Sequence, residues 1–102
     1  MSQRTVNNNA VTVVGKFYGG FEFSHKVYGE GFYSFKLLVP RLSDYSDILP
    51  VTVSERLIYG MDITSCRQNI IIQGQLRSYN KFVDGSNRLI LTIFARDLSL
   101  QQ

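Results

Sequence analysis

Few side chains in this sequence are equipped for bond-making chemistry. The single imidazole, His25, sits in a glycine-bounded stretch, and the single thiol, Cys66, precedes an apolar run. A His–Cys nucleophile pair needs an orienting third group and an oxyanion hole. Nothing beside either residue supplies them, so both read as ordinary surface or half-buried side chains. The eight Asp and Glu residues are scattered over turns and strand ends, whereas metal-assisted hydrolysis needs two or three carboxylates converging on an ion. The glycines punctuate turns and do not form a phosphate-cradling loop. We therefore expect no catalytic residues, no metal and no cofactor, and the sequence argues against an enzyme.

Binding chemistry is better represented. Lys16, Tyr18, Lys36, Arg77, Tyr79, Arg88, Thr92 and Arg96 fall on the polar positions of alternating apolar segments. Cations interleaved with rings suit a single-stranded nucleic acid, because cations follow the phosphates and rings stack on bases of any identity. The same alternation also arises on any solvated sheet face, or on one that binds protein.

The elements that must position these residues are short and β-like. In the first, Ala10 to Tyr18, Val11, Val13 and Phe17 share one face, and Gly15 marks a bulge or bend. Gly19-Gly20 and Gly29-Glu30-Gly31 then bound a connector holding Phe21, Phe23, His25 and Tyr28. The second strand, Phe32 to Arg41, turns Tyr33, Phe35, Leu37 and Val39 to the core, and Leu42 to Ser46 reads as a loop. The third, Asp47 to Val53, contains Pro50, which implies an edge or an unpaired side at that point. Ser54 is placed to cap a short helix from Glu55 to about Gly60. The fourth strand, Asn69 to Tyr79, directs Ile70, Ile72, Gly74 and Leu76 inward. A turn at Asp84-Gly85 leads to the fifth, Arg88 to Arg96, with Leu89, Leu91 and Ile93 inward.

Composition bounds the whole. The chain has 102 residues, 44% of them hydrophobic and 19% charged, with a net charge of +3 and no Trp. That is one domain, 1–102, with residues 1–8 as a polar lead-in, and not a disordered chain. One Cys excludes an intrachain disulfide, and no stretch reaches membrane-span length. We expect a cytoplasmic protein without a membrane partner. Five strands with one short helix between the third and fourth is the plan of an all-β, Greek-key OB-fold barrel. An SH3-like barrel ranks second, since it would not need so long a connection at that point.

The order of these segments resembles the bacterial single-stranded DNA-binding protein family. The resemblance runs from about Asn9 to Phe94. It is carried by Asn9 to Lys16, Phe32 to Arg41, Asp47 to Val53, Leu57, Ile72-Gln73-Gly74-Gln75-Leu76-Arg77-Ser78-Tyr79 and Arg88-Leu89. It implies an OB-fold that binds single-stranded DNA without sequence preference in replication, recombination or repair. It also implies a homo-oligomer, a tetramer ahead of a dimer, associated with the bacterial nucleoid.

Carried over by position, the family's stacking sites fall near Tyr45, at Ile48, at Ser54 and near Phe82. Ile48 and Ser54 stand where the family has rings, and each lost stack is worth ~1–3 kcal/mol unless Tyr18, Tyr79 or Phe82 compensates. Lys16, Lys36, Arg41, Arg56, Arg77 and Arg88 supply the expected phosphate contacts. The expected subunit interface comprises Asn9 and Val11 of the first strand with Ile71, Ile90 and Phe94 opposite the core faces. The sequence shows no acidic tail for recruiting replication proteins. In this it is similar to primosomal replication proteins of the PriB type, whose dimeric, primosome-assembling role is the alternative reading. A protein-interaction OB-fold is the alternative from another class.

Overall fold

Apolar alternation sets the strands, and the places where it slips set their bends. The computed structural model describes residues 9–60 and 69–101. The expectations for residues 1–8 and for Cys66 lie outside the described residues. In order the elements are β1 (Val11–Val27), β2 (Glu30–Pro40), β3 (Ser46–Ser54), α1 (Glu55–Ile58), β4 (Ile70–Val83) and β5 (Ser86–Leu100). The strands close as β1-β2-β3-β5-β4. All pairings are antiparallel except a short parallel contact, Val51↔Ile93 and Thr52↔Phe94. This five-stranded barrel with one short helix after its third strand is the expected OB-fold, in which closure removes free sheet edges.

Inward positions of β2 to β5 meet in one core, Phe35 and Leu37, Val51 and Val53, Ile70 and Ile72, then Ile93, Ala95 and Leu98, with Val11, Val13 and Phe17 of β1 packed against it. Each fully buried aliphatic side chain stabilises the fold by about 1.5–3 kcal/mol. β1 serves two partners, pairing through Val11–Gly15 with β4 and from Lys16 onward with β2. Gly15 is the corner between them. A Cβ there would collide with the Leu38 carbonyl oxygen, so the bend expected at this residue is also a close backbone crossing. Gly74 is a second crossing, where a Cβ would collide with the Phe94 carbonyl oxygen.

The structure corrects several boundaries. The connector between Gly19 and Gly31 is strand: β1 continues to Val27 and turns back through Tyr28-Gly29, both at positive φ. Two register shifts, one between Tyr18 and Glu22 and one between Phe23 and His25, break the alternation and made this stretch read as loop. The turn at Asp84-Gly85 is as expected, again with both residues at positive φ, the backbone of a two-residue type I′ hairpin. β4 and β5 run beyond their expected ends and form an arm that projects past the core. Leu76, Leu89 and Leu91, expected inward, are exposed on that arm. At the other end of β5, Arg96 is left unpaired between Ala95 and Asp97. This single-residue bulge shifts the inward phase from Ile93 and Ala95 to Leu98.

Pro50 lies just beyond the two-residue ladder to β5, the unpaired side that its missing N–H requires. Ser54 caps α1, its Oγ accepting the Arg56 N–H at 3.2 Å.

Candidate nucleic-acid interface

Directly paired residues on neighbouring strands project from the same face, so the registers assemble the outer wall row by row. Lys16, Leu38 and Ile48 form one row across β1, β2 and β3; Tyr18, Lys36 and Pro50 form the next. A third, Glu22, Ser34, Thr52, Phe94 and Gln75, spans all five strands. The pairs Arg77↔Thr92, Tyr79↔Ile90 and Lys81↔Arg88 continue this face along the β4–β5 arm. Lys16, Tyr18, Lys36, Ile48, Arg77, Tyr79 and Arg88 therefore share one wall, as their alternation in sequence suggested.

Between the β1–β2 and β4–β5 arms this wall sinks into an open groove of about 510 Å³. Its floor is polar. The buried hydroxyls of Thr52 and Thr92 lie 3.0 Å apart, and Thr92 Oγ1 donates to the Pro50 carbonyl at 3.2 Å. These bonds join β3 to β5 where the ladder is only two residues long.

One side of the groove carries the Arg77 guanidinium, 4.0 Å above the Phe94 ring, with Tyr79 and Lys81 beyond it. The opposite side carries His25, whose ring lies parallel to Phe32 at 4.8 Å, with Nδ1 at 2.8 Å from Ser24 Oγ. A smaller hollow of about 200 Å³ beside Tyr18, Lys36 and Pro50 shares Glu22 and Ser34 with the groove. Flat rings and cations thus follow one another along a continuous surface.

The other expected contacts are placed differently. Tyr45 is exposed in the β2–β3 loop, at the Ile48 end of the wall. Arg41, in the same loop, is engaged by Asp47: its Nε reaches both carboxylate oxygens at 3.0 Å and Nη2 reaches one at 2.8 Å. That contact holds the Asp47 carboxyl below the usual carboxylate range. Arg56 stands at the opposite end, its Nε 2.8 Å from Glu30. Glu30 also accepts from Ser54, and these two bonds, that from Ser54 foremost, lower its pKa. Phe82 is exposed but pairs with Asn87. Strand alternation therefore turns it to the face of the arm away from Arg77 and Tyr79.

The expected subunit interface is not one patch. Phe94 is half-buried beneath Arg77 and beside Phe32, so it belongs to the groove. Ile90 stands on the same wall beside Tyr79, while Ile71 pairs with Val14 on the other side of the barrel. Val11 packs against the core. Asn9 extends the β1–β4 ladder with its side chain: Oδ1 accepts the Leu76 N–H and Nδ2 donates to the Leu76 carbonyl, both at 2.8 Å.

Sequence reasoning missed Phe23, Ser24 and His25 as groove residues, because the bulges hid the continuation of β1. It also missed Thr52, whose hydroxyl gave no signal beyond ordinary alternation, whereas Thr92 stands on the outward face where its alternation put it. Among the described residues no cluster of His, Cys, Asp or Glu could hold a metal ion, and no helix is long and apolar enough to cross a membrane.

No family model matches the chain, and no curated protein matches it significantly. Solved structures do. The N-terminal domain of the PriB protein from Thermoanaerobacter tencongensis, a dimeric structure, is 49% identical with a TM-score of 0.78, over 94% of this chain and 99% of that one. Two more distant matches share the fold. A small single-stranded DNA-binding protein from Streptomyces coelicolor is 16% identical, with a TM-score of 0.67 over 94% of this chain and 96% of its own. The Plasmodium falciparum single-stranded DNA-binding protein, solved with single-stranded DNA, is 15% identical, with the same TM-score over 98% and 96%. With nearly half of its residues shared with the first of these over almost the full length of both chains, the protein belongs to the PriB-type OB-fold family.

Proposed function

We propose that this chain binds single-stranded DNA, without strong sequence preference and without catalysis, as a homo-oligomer acting in DNA replication, recombination or repair. One observation carries the reading: the groove between the two arms offers cations and flat rings side by side, with Arg77 seated on Phe94 next to Tyr79 and Lys81. Phosphates are neutralised by Arg77, Lys81, Arg88, Lys36 and Lys16, and unstacked bases lie on Tyr79, Tyr18 and the His25–Phe32 pair. Base stacking needs only a π-face, so binding tolerates any sequence. Arg41 and Arg56, each engaged by a carboxylate, contribute less than their charge suggests. Tyr45 and Ile48 extend the path toward the β2–β3 loop.

The test is a titration of labelled oligo-dT by fluorescence anisotropy over a range of salt. The expected result is binding that weakens with salt, with a log–log slope of about −0.7 per phosphate contacted. Absence of binding at low salt, or binding indifferent to salt, overturns the reading. Combining Lys36→Ala, Arg77→Ala and Tyr79→Ala should weaken binding by more than about 100-fold. Weak binding that survives all three favours a protein-interaction module instead.

A second reading is favoured by the 49% identity to a PriB domain: a primosome assembly factor whose DNA contacts are secondary to contacts with other replication proteins. Sedimentation analysis separates the two in part, a dimer favouring the primosomal role and a tetramer the strand-coating one.

A further inference from the structure

The groove between the arms contains one side chain of the wrong sign for a polyanion. Among the described residues Glu22 is the only carboxylate lining the groove or the smaller hollow beside it, and it lines both. Glu30 and Asp47 are each held by an arginine, whereas Glu22 forms no ion pair among the described residues. It is exposed, so its charge meets whatever enters.

The surroundings give that charge a direction. Glu22 pairs with Ser34, which sets the two side chains on one face with Cβ atoms about 5 Å apart. The row on one side of them carries Tyr18 and Lys36, and the row on the other carries the stacked His25–Phe32 pair. A base lying on either set of rings turns its hydrogen-bonding edge to Glu22 and Ser34. A phosphate at the same point would meet a negative charge. The hydroxyls of the floor beneath are already engaged with each other and with the Pro50 carbonyl.

The bases differ in how their edges meet a carboxylate beside a hydroxyl. Guanine shows two adjacent donors, N1–H and N2–H, which match the two carboxylate oxygens, and next to them O6, which accepts from a hydroxyl. Adenine and cytosine offer an amino group beside a ring nitrogen whose lone pair opposes the second carboxylate oxygen. Thymine has one N–H between two carbonyl oxygens that a carboxylate repels. We propose that Glu22 and Ser34 form a base-reading subsite that prefers guanine to thymine, within a strand held elsewhere by phosphate contacts and stacking. This rests on the single-stranded DNA reading of the groove and adds a preference to it at one position.

Fluorescence anisotropy tests it with three labelled strands of equal length: oligo-dT, an alternating dG–dT repeat and an alternating dC–dT repeat. Low lithium salt keeps the guanines from forming quadruplexes. Wild type should bind the dG–dT repeat at least about 5-fold more tightly than oligo-dT, and more tightly than the dC–dT repeat. Glu22→Ala should cut the preference over oligo-dT to less than about 2-fold, and should bind oligo-dT more tightly because a charge that repels phosphate has gone. Ser34→Ala should lose part of the preference. Equal affinities in wild type, or a dC–dT repeat bound as tightly as dG–dT, overturn the proposal and leave the reading of the groove standing. A guanine preference undiminished in Glu22→Ala also overturns it, since stacking of the larger base then explains the preference without the carboxylate. If wild type binds none of the strands, the proposal and the reading of the groove fall together. Should circular dichroism show Glu22→Ala unfolded, Glu22→Gln keeps the side chain's length and makes the same comparison. A wild-type preference retained in it overturns the proposal.

Discussion

Two hairpin arms rise from one barrel and end in the same kind of turn, yet they deal with apolar surface in opposite ways. The β1–β2 arm packs its rings against one another, although Phe23, Val27 and Tyr28 toward its tip stay exposed. Phe21 lies 5.1 Å from Phe17 and 5.4 Å from Phe35, Phe23 meets Tyr33 edge-on at 5.6 Å, and His25 stacks on Phe32. Its two register shifts make this possible, because each lets β1 fold rings back over its partner strand. The β4–β5 arm keeps an uninterrupted register from Gly74↔Ala95 to Val83↔Ser86. Its apolar side chains therefore line up on one face that nothing among the described residues covers. The irregular ladder brings its rings into mutual contact, whereas the regular one leaves its leucines side by side and exposed.

The largest effect is expected where the ring-packed arm is opened. Phe21→Ala removes a ring packed against the core and should destabilise the fold by about 3 kcal/mol, read from the urea midpoint. Leu91→Ala on the exposed stripe, measured at concentrations low enough to hold the chain as a monomer, should change it by less than about 0.5 kcal/mol. Equal losses would erase the contrast.

Next comes the junction between the arms. Thr92→Val leaves the Thr52 hydroxyl without its partner in the groove floor and should cost about 1–2 kcal/mol, while Thr92→Ser recovers most of it. Smaller still is the turn. Tyr28 sits at φ 49°, a region asparagine tolerates better than tyrosine, so Tyr28→Asn should stabilise by about 0.5 kcal/mol and raise the melting temperature by roughly 2–4 °C. The corresponding Asp84→Tyr should lower it.

The smallest effect is electrostatic. Glu30 and Asp47 have lowered folded-state pKa values because of Ser54 with Arg56, and of Arg41, respectively. Their stabilisation is complete above the ordinary carboxylate pKa and is lost as pH falls through the lowered folded value. Wild type should lose slightly more stability between pH 6 and pH 3 than Glu30→Gln/Asp47→Asn does, as read by urea midpoints at each pH (these two values are chosen only to bracket the usual carboxylate range).

What could be read from the sequence follows the same division. Regular alternation gave up the cores of β2, β3 and β4, the Ser54 cap, the Asp84-Gly85 turn and the shared wall of Lys16, Tyr18, Lys36, Arg77 and Tyr79. It failed where the period slips. Gly19-Gly20 looked like a turn and is a bulge, so half of β1 and the groove residues Phe23 to His25 were lost with it. The Tyr28-Gly29 turn lacks the Asn or Asp that usually announces a type I′ hairpin. Phe94 stands in the groove and not beside Ile71, because alternation gives a side chain's parity and not what lies above it, while Phe82, carried over by resemblance from beyond the expected end of β4, falls on the arm's other face. Leu89 and Leu91 show the reverse failure: their parity was right, but the core ends before they reach it.

Gly74 gives the barrel a point of intolerance to sequence change. A Cβ at this position would run into the Phe94 carbonyl group and the Ala95 Cα, so no side chain fits unless two strands move apart. Gly20, with open space around it, carries no such constraint. In a library of single substitutions selected for folding, position 74 would therefore be stripped to glycine while position 20 kept a broad mixture. A short Gly-Gln-Leu-Arg stretch can thus stay recognisable in distant relatives for reasons of backbone clearance, whatever the groove beside it binds.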